Sequence, residues 1–131
     1  MTLEAPSPAP ATDDTLTLVQ AIADAADDRK AGDIRILRVD EVAYLTDYFV
    51  FCTGFSPVQV RAIAKSIEAK TAEAFSRDPL RVEGLEECRW VLLDYGDVIV
   101  HVFLPQEREF YNLEAFWSHG QPVPFTPSTP A

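Results

Sequence analysis

The sequence predicts a chain of the α/β (α+β) class, with helices flanking a mixed β-sheet of about five strands. Three observations carry that prediction. Helix-like and strand-like hydrophobic patterns alternate along the chain, one boundary carries a full helix-start signal at "SPVQ", and residues 90–103, "WVLLDYGDVIVHVF", spell a long apolar hairpin. With 131 residues and 47% hydrophobic composition, the chain is one domain's worth of protein, long enough to bury a core.

The elements follow in order. Leu16, Val19, Ile22, Ala23 and Ala26 fall at helical spacing, with Arg29 and Lys30 suited to the negative end of a helix and Gly32 as its stop. "DIRILRV" then sets Ile34 and Ile36, with Arg38, against Arg35, Leu37 and Val39, and "DYFVFCTG" is an aromatic and β-branched run ended by Gly54. Both read as strands. Ser56 can cap the next helix, Pro57 fits its first position and Gln59 completes a capping box. The inward face of that helix is Val60, Ile63, Ala64, Ile67, Thr71, Ala74 and Phe75. A short strand around "LRVEG", the hairpin, and a last helix over "EREFYNLEAFW" with Phe110, Leu113, Phe116 and Trp117 on one face complete an α-β-β-α-β-β-β-α order.

Prolines mark the ends: three lie in residues 6–10 and four in "QPVPFTPSTP". The folded domain is therefore expected over 14–119, between a disordered Pro/Ala-rich N-terminal tail (1–13) and a Pro-rich C-terminal tail (120–131). No apolar run reaches the roughly 18 residues a membrane span needs, and no basic residue precedes Arg29, so the expectation is a cytoplasmic protein. Cys52 and Cys88 lack a CxxC or Cys/His partner and read as two buried thiols rather than a disulfide or a metal site.

Charge narrows the function. The formal net charge is -10, from 21 acidic against 11 basic residues, so the summed field repels phosphate backbones and attracts cationic surfaces. This argues against direct nucleic-acid binding and for a basic partner.

The hairpin holds the candidate site. With Tyr95-Gly96 as a two-residue turn, Asp94 faces Asp97, Leu92 faces Ile99 and Trp90 faces His101, while Val91, Leu93, Val98, Val100 and Val102 form an apolar face for the helices. Two aspartates about 5 Å apart repel by ~1–3 kcal/mol. Such a pair can splay into water, stabilise the turn, meet a cationic partner, or hold a metal. His101 has no nucleophile beside it and reads as a neighbour packed on Trp90. As an active site the constellation is poor, and no metal or cofactor is implied.

Four successive blocks, "KAGDIRIL", "TDYFVFCTGFSPVQVRAIAKSIE", "RWVLLDYGDVIVHVF" and "REFYNLEAFW", resemble the ribosomal silencing factor family, also called the Iojap family, over about residues 15–118. The resemblance implies a non-enzymatic translation repressor. Such a factor binds ribosomal protein uL14 on the large ribosomal subunit, blocks association with the small subunit, and represses translation when nutrients are scarce. It also implies a nucleotidyltransferase-like fold. The rival is therefore a divergent nucleotidyltransferase, whose Gly-Ser turn "TGFS" would cradle a phosphate, but the paired strand carboxylates in a D-x-D arrangement that such enzymes need do not follow it. One departure is Arg38, where the family pattern carries an aspartate in the first strand.

Trp90, Leu92, Asp94, Tyr95, Asp97 and His101 are the candidate partner-binding residues, because they share one hairpin face or its turn without completing the valine core. Arg108 and Tyr111 flank them as further candidates. The alternative for Trp90 and Ile99 is ordinary core beneath the last helix, and an apolar hairpin face can equally serve a homodimer of the free protein, with a monomer on the ribosome.

Overall fold

The computed structural model describes residues 13–41, 45–125 and 127. Element order is α1 (Asp13–Asp28), β1 (Gly32–Arg38), β2 (Tyr48–Thr53), α2 (Pro57–Phe75), β3 (Arg81–Glu83), β4 (Trp90–Asp94), β5 (Val98–Phe103), α3 (Pro105–Tyr111), α4 (Leu113–Phe116) and β6 (Gln121–Val123). The strands form one mixed sheet in the order β3-β4-β5-β2-β1-β6, with β2 and β5 parallel and every other pair antiparallel. Most of the N-terminal tail expected over 1–13 lies outside the described residues.

Side-chain alternation divides the core between the two sheet faces. On one face Val50, Cys52, Val91, Leu93, Val98, Val100 and Val102 pack against α1 and α2, through Leu18, Val19, Ile22, Val60, Ile63 and Ile67. This is the valine face expected from the hairpin. On the other face Phe49, Phe51, Ile99, Phe103 and Val39 form a second cluster, on which Leu113 and Trp117 pack from the C-terminal segment. The central strands β2 and β5 are thus buried on both sides along their whole length, as their near-continuous apolar sequences require. Both cysteines are buried free thiols, and burial pushes the Cys52 thiol up to about 12.

The Ser56 boundary forms as written: Ser56 Oγ accepts from the Gln59 N–H at 3.1 Å, with Pro57 at the helix start. The reciprocal bond differs by one residue, because Gln59 Oε1 accepts from Phe55 N–H at 2.7 Å. Gln59 Nε2 also donates to the carbonyls of Arg29 and Lys30 at 3.0 and 3.1 Å, tying the start of α2 to the end of α1. Of the expected inward face, Val60, Ile63, Ala64, Ile67 and Thr71 are buried, whereas Ala74 is exposed and Phe75 is half-buried.

Four expectations are corrected. Helix α1 ends at Asp28, and the left-handed residue after it is Lys30 (φ 64°), so Gly32 opens β1 instead of stopping the helix. Gly32 is small because an added Cβ would lie 2.7 Å from the Phe55 ring. The single C-terminal helix is two, broken where Asn112 adopts φ 45°, so Phe110 and Phe116 stay 80% and 74% exposed while Leu113 and Trp117 turn inward. The sheet has a sixth strand, since Gln121–Val123 pairs with Ile36–Arg38, and the domain therefore continues past residue 119. The hairpin register is shifted: Trp90 faces Phe103, Leu92 faces His101 and Asp94 faces Ile99. Gly96-Asp97 is the turn, with Gly96 supplying the positive φ of 91° that a two-residue hairpin needs.

Candidate partner-binding surface

Because the register shift moves the pairing by two in total, the faces keep their composition and only the neighbours change. Asp94 and Asp97 do not face one another, and the expected mutual repulsion is replaced by separate partners. Asp94 accepts the Gly96 N–H at 2.8 Å and lies 3.4 Å from Arg81. Asp97 forms a two-point pair with Arg77 at 2.9 and 3.1 Å. Arg77 also donates to the Tyr95 carbonyl at 2.8 Å, so α2's exit clamps the hairpin turn.

Three of the candidate partner-binding residues sit inside the fold, and among them His101 packs on Trp90 as its sequence reading expects. Tyr95, placed on an exposed turn by sequence, is 2% exposed and lies on the helix face, where its hydroxyl and Thr71 Oγ1 are 2.9 Å apart. The cause is the turn beginning one residue later, which leaves position 95 in the valine-face alternation. His101 is 5% exposed between Phe49, Phe51 and Phe103, and burial lowers its pKa to about 4. Arg108 is buried and donates to the Asp33 carbonyl, to Thr53 Oγ1 and twice to Glu114, at 2.8–2.9 Å. It ties the C-terminal helices to the ends of β1 and β2. Arg38 pairs with Asp40 at 2.8 Å.

Trp90, Leu92 and Tyr111 remain together on the open part of the second face. Trp90 is half-buried; its ring leans on Phe103 and His101, and its indole N–H donates to His101 Nδ1 at 3.0 Å. The Tyr111 ring lies 4.8 Å from that of Trp90, and Phe110 meets Tyr111 edge-on at 4.9 Å, so three aromatic rings run on from the sheet onto α3. Two grooves flank Trp90. One, of about 300 Å³, is lined by Glu86, Glu87, Arg89, Glu107 and Tyr111 as well as Trp90. The other, of about 370 Å³, lies between Glu83, Gly84, Trp90 and Leu92.

The open part of this face thus joins a half-buried Trp90 and an exposed Tyr111 to grooves rimmed by carboxylates. Ser56, the residue of interest for a transferase, is occupied as the cap of α2. The glutamates around Trp90 were missed from the sequence, although "EGLEECRW" places three of them within seven residues before it. Glu107 is brought in only by the fold, through α3.

Comparison with known proteins decides the family. The family model described as ribosomal silencing factor during starvation matches residues 12–130. The chain belongs to the ribosomal silencing factor family. It is 42% identical over 106 residues to ribosomal silencing factor RsfS of Halalkalibacterium halodurans, covering 81% of this chain and 90% of that one. It is 43% identical to RsfS of Bacillus subtilis, with 77% and 85% covered. A crystal structure of a Chromobacterium violaceum protein superposes with a TM-score of 0.76 at 37% identity, covering 88% of this chain and 93% of that one. The family match reaches through β6, so the C-terminal segment set outside the resemblance belongs within it. Among the described residues no helix is long and apolar enough to cross a membrane.

Proposed function

We propose that this ribosomal silencing factor family member acts in the cytoplasm, without catalysis, by binding uL14 on the large ribosomal subunit. Occupying that surface keeps the small subunit from joining and lowers translation when nutrients are scarce. The observation that supports this reading is the half-buried Trp90 beside exposed Tyr111, set between two grooves whose rims carry Glu83, Glu86, Glu87 and Glu107. An aromatic anchor in an acidic rim suits a basic ribosomal protein, and a net charge of -10 holds the chain off the surrounding RNA.

Trp90, Leu92 and Tyr111 make the contact in this reading, with Asp94 at its edge. Tyr95, His101 and Arg108 support it from within, and Asp97 fixes the turn. The test is sedimentation: the purified protein should travel with large subunits and shift 70S particles toward free subunits. Binding to small subunits alone, or to neither, sinks the reading.

A further inference from the structure

The C-terminal segment passes around one edge of the sheet. Leu113 and Trp117 pack on the aromatic cluster of one face, β6 runs along β1, and Val123 and Phe125 then pack against the core of the other face. Gln20 Nε2, on α1, donates to the Pro124 carbonyl at 3.1 Å and fastens the end of this strap. Gly120 lets it turn the corner, since an added Cβ would lie 2.8 Å from the Val39 side chain and 3.1 Å from the Arg38 carbonyl.

The strap meets β1 where that strand would accept another. Val39 N–H donates to the Asp47 carbonyl at 2.8 Å, so the alternation of an antiparallel ladder turns the N–H and C=O groups of Ile36 and Arg38 the other way, toward Val123 and Gln121. Ile36 belongs to the core of one face and Leu37 packs on that of the other. Without β6 this stretch would be an apolar edge with unpaired donors, the kind that recruits a second chain. The same alternation points the nitrogen of Pro122, paired with Leu37, away from β1, where its missing N–H denies a further strand a donor. The remaining edges are blunted by other means. The first half of β1, beyond the reach of β6, is bulged between Gly32 and Arg35, with Asp33 at φ 44°. At the opposite edge β3 is three residues long, and Arg81 and Glu83 are exposed on it.

We propose that β6 is an edge guard: by occupying Ile36–Arg38 it keeps a second copy of this chain from pairing there, β1 against β1. A second copy is the occupant that fits, because an antiparallel ladder joins identical strands about a two-fold axis and the apolar faces of both sheets then run on continuously. The inference stands apart from the ribosome-binding reading.

The test compares the unaltered chain with a chain shortened after Gly120 and with Gln121→Pro, which takes from β6 the N–H that faces Arg38 and keeps Trp117 and Phe125. In sedimentation velocity both should self-associate more tightly than the unaltered chain, the shortened one by about tenfold. Amide exchange identifies the contact: in the shortened chain the Ile36 and Arg38 amides should be protected at high protein concentration and lose that protection on dilution. Folded variants that sediment like the unaltered chain overturn the proposal. So does association that leaves the Ile36 and Arg38 amides exchanging freely, which would be adhesion of uncovered apolar surface. If the shortened chain fails to fold, Gln121→Pro decides by the same two measurements.

Discussion

The indole N–H of Trp90 donates to Nδ1 of His101 on the neighbouring strand across 3.0 Å. An indole nitrogen can only donate, so Nδ1 must be bare, and the neutral imidazole carries its proton on Nε2. A buried histidine thus fixes the rotamer of the aromatic residue that stands at the centre of the open face.

That bond predicts an acid-sensitive fold. Burial lowers the His101 pKa from 6.5 to about 4. Between these values the unfolded chain binds more protons than the folded one, so stability is full above the upper value and declines as pH falls toward the lower. The histidine's share of that decline should be roughly 2 kcal/mol by about pH 5. His101→Phe fits the surrounding ring cluster and removes the titration. Denaturant melts at neutral and acid pH should therefore show a smaller acid loss in the variant, and equal losses would contradict this role for His101.

Tyr95 gives a prediction of opposite kind, separating core from surface. Tyr95→Phe removes a hydroxyl held by Thr71 and leaves the ring under the Arg77 guanidinium, 5.8 Å from its centroid. The expected cost is about 1 kcal/mol of stability, with large-subunit binding unchanged. A loss of binding at full stability would return Tyr95 to the surface where the sequence reading placed it.

Arg108 should prove structural in the same sense. Its removal as Arg108→Ala leaves the Glu114 carboxylate and the Asp33 carbonyl without their donor and unties α3 and α4 from β1 and β2. The expected loss is about 3–5 kcal/mol. Hydrogen exchange should quicken first in residues 105–117, the stretch the arginine holds. Uniform acceleration across the sheet would mean that the arginine serves the whole core instead.

Periodicity and helix-start chemistry made most of the architecture legible. The strand alternation assigned Val91, Leu93, Val98, Val100 and Val102 to the helix face, and Ser56 with Gln59 placed the start of α2 to the residue. The misses were local backbone choices that composition does not encode. Beginning the turn at Gly96 instead of Tyr95 preserves both faces, so no hydrophobic pattern could distinguish the registers, yet it carries Tyr95 into the core. Asn112 breaks the last helix by taking a left-handed conformation that asparagine tolerates, and Phe110 and Phe116 stay exposed on the two pieces. Of the surface, Trp90, Leu92 and Tyr111 were readable; Glu107 depended on how α3 folds back on β4.

The final prediction separates anchor from rim. Trp90 is half-buried on Phe103 and His101 and borders both grooves, so truncating it removes the contact an incoming side chain would share. Trp90→Ala should weaken large-subunit binding about thirtyfold, at low and high salt alike, because the lost contact is packing. Asp94→Asn leaves the rings in place and removes an edge charge, so its effect should be confined to low ionic strength. Trp90→Phe distinguishes the ring's size from its hydrogen bond, since it keeps an aromatic face and lets His101 Nδ1 go unpartnered. Intermediate affinity is expected from it. Melting of each variant supplies the control: if Trp90→Ala unfolds the domain by several kcal/mol while the folded fraction binds as before, Trp90 is core and the partner sits elsewhere.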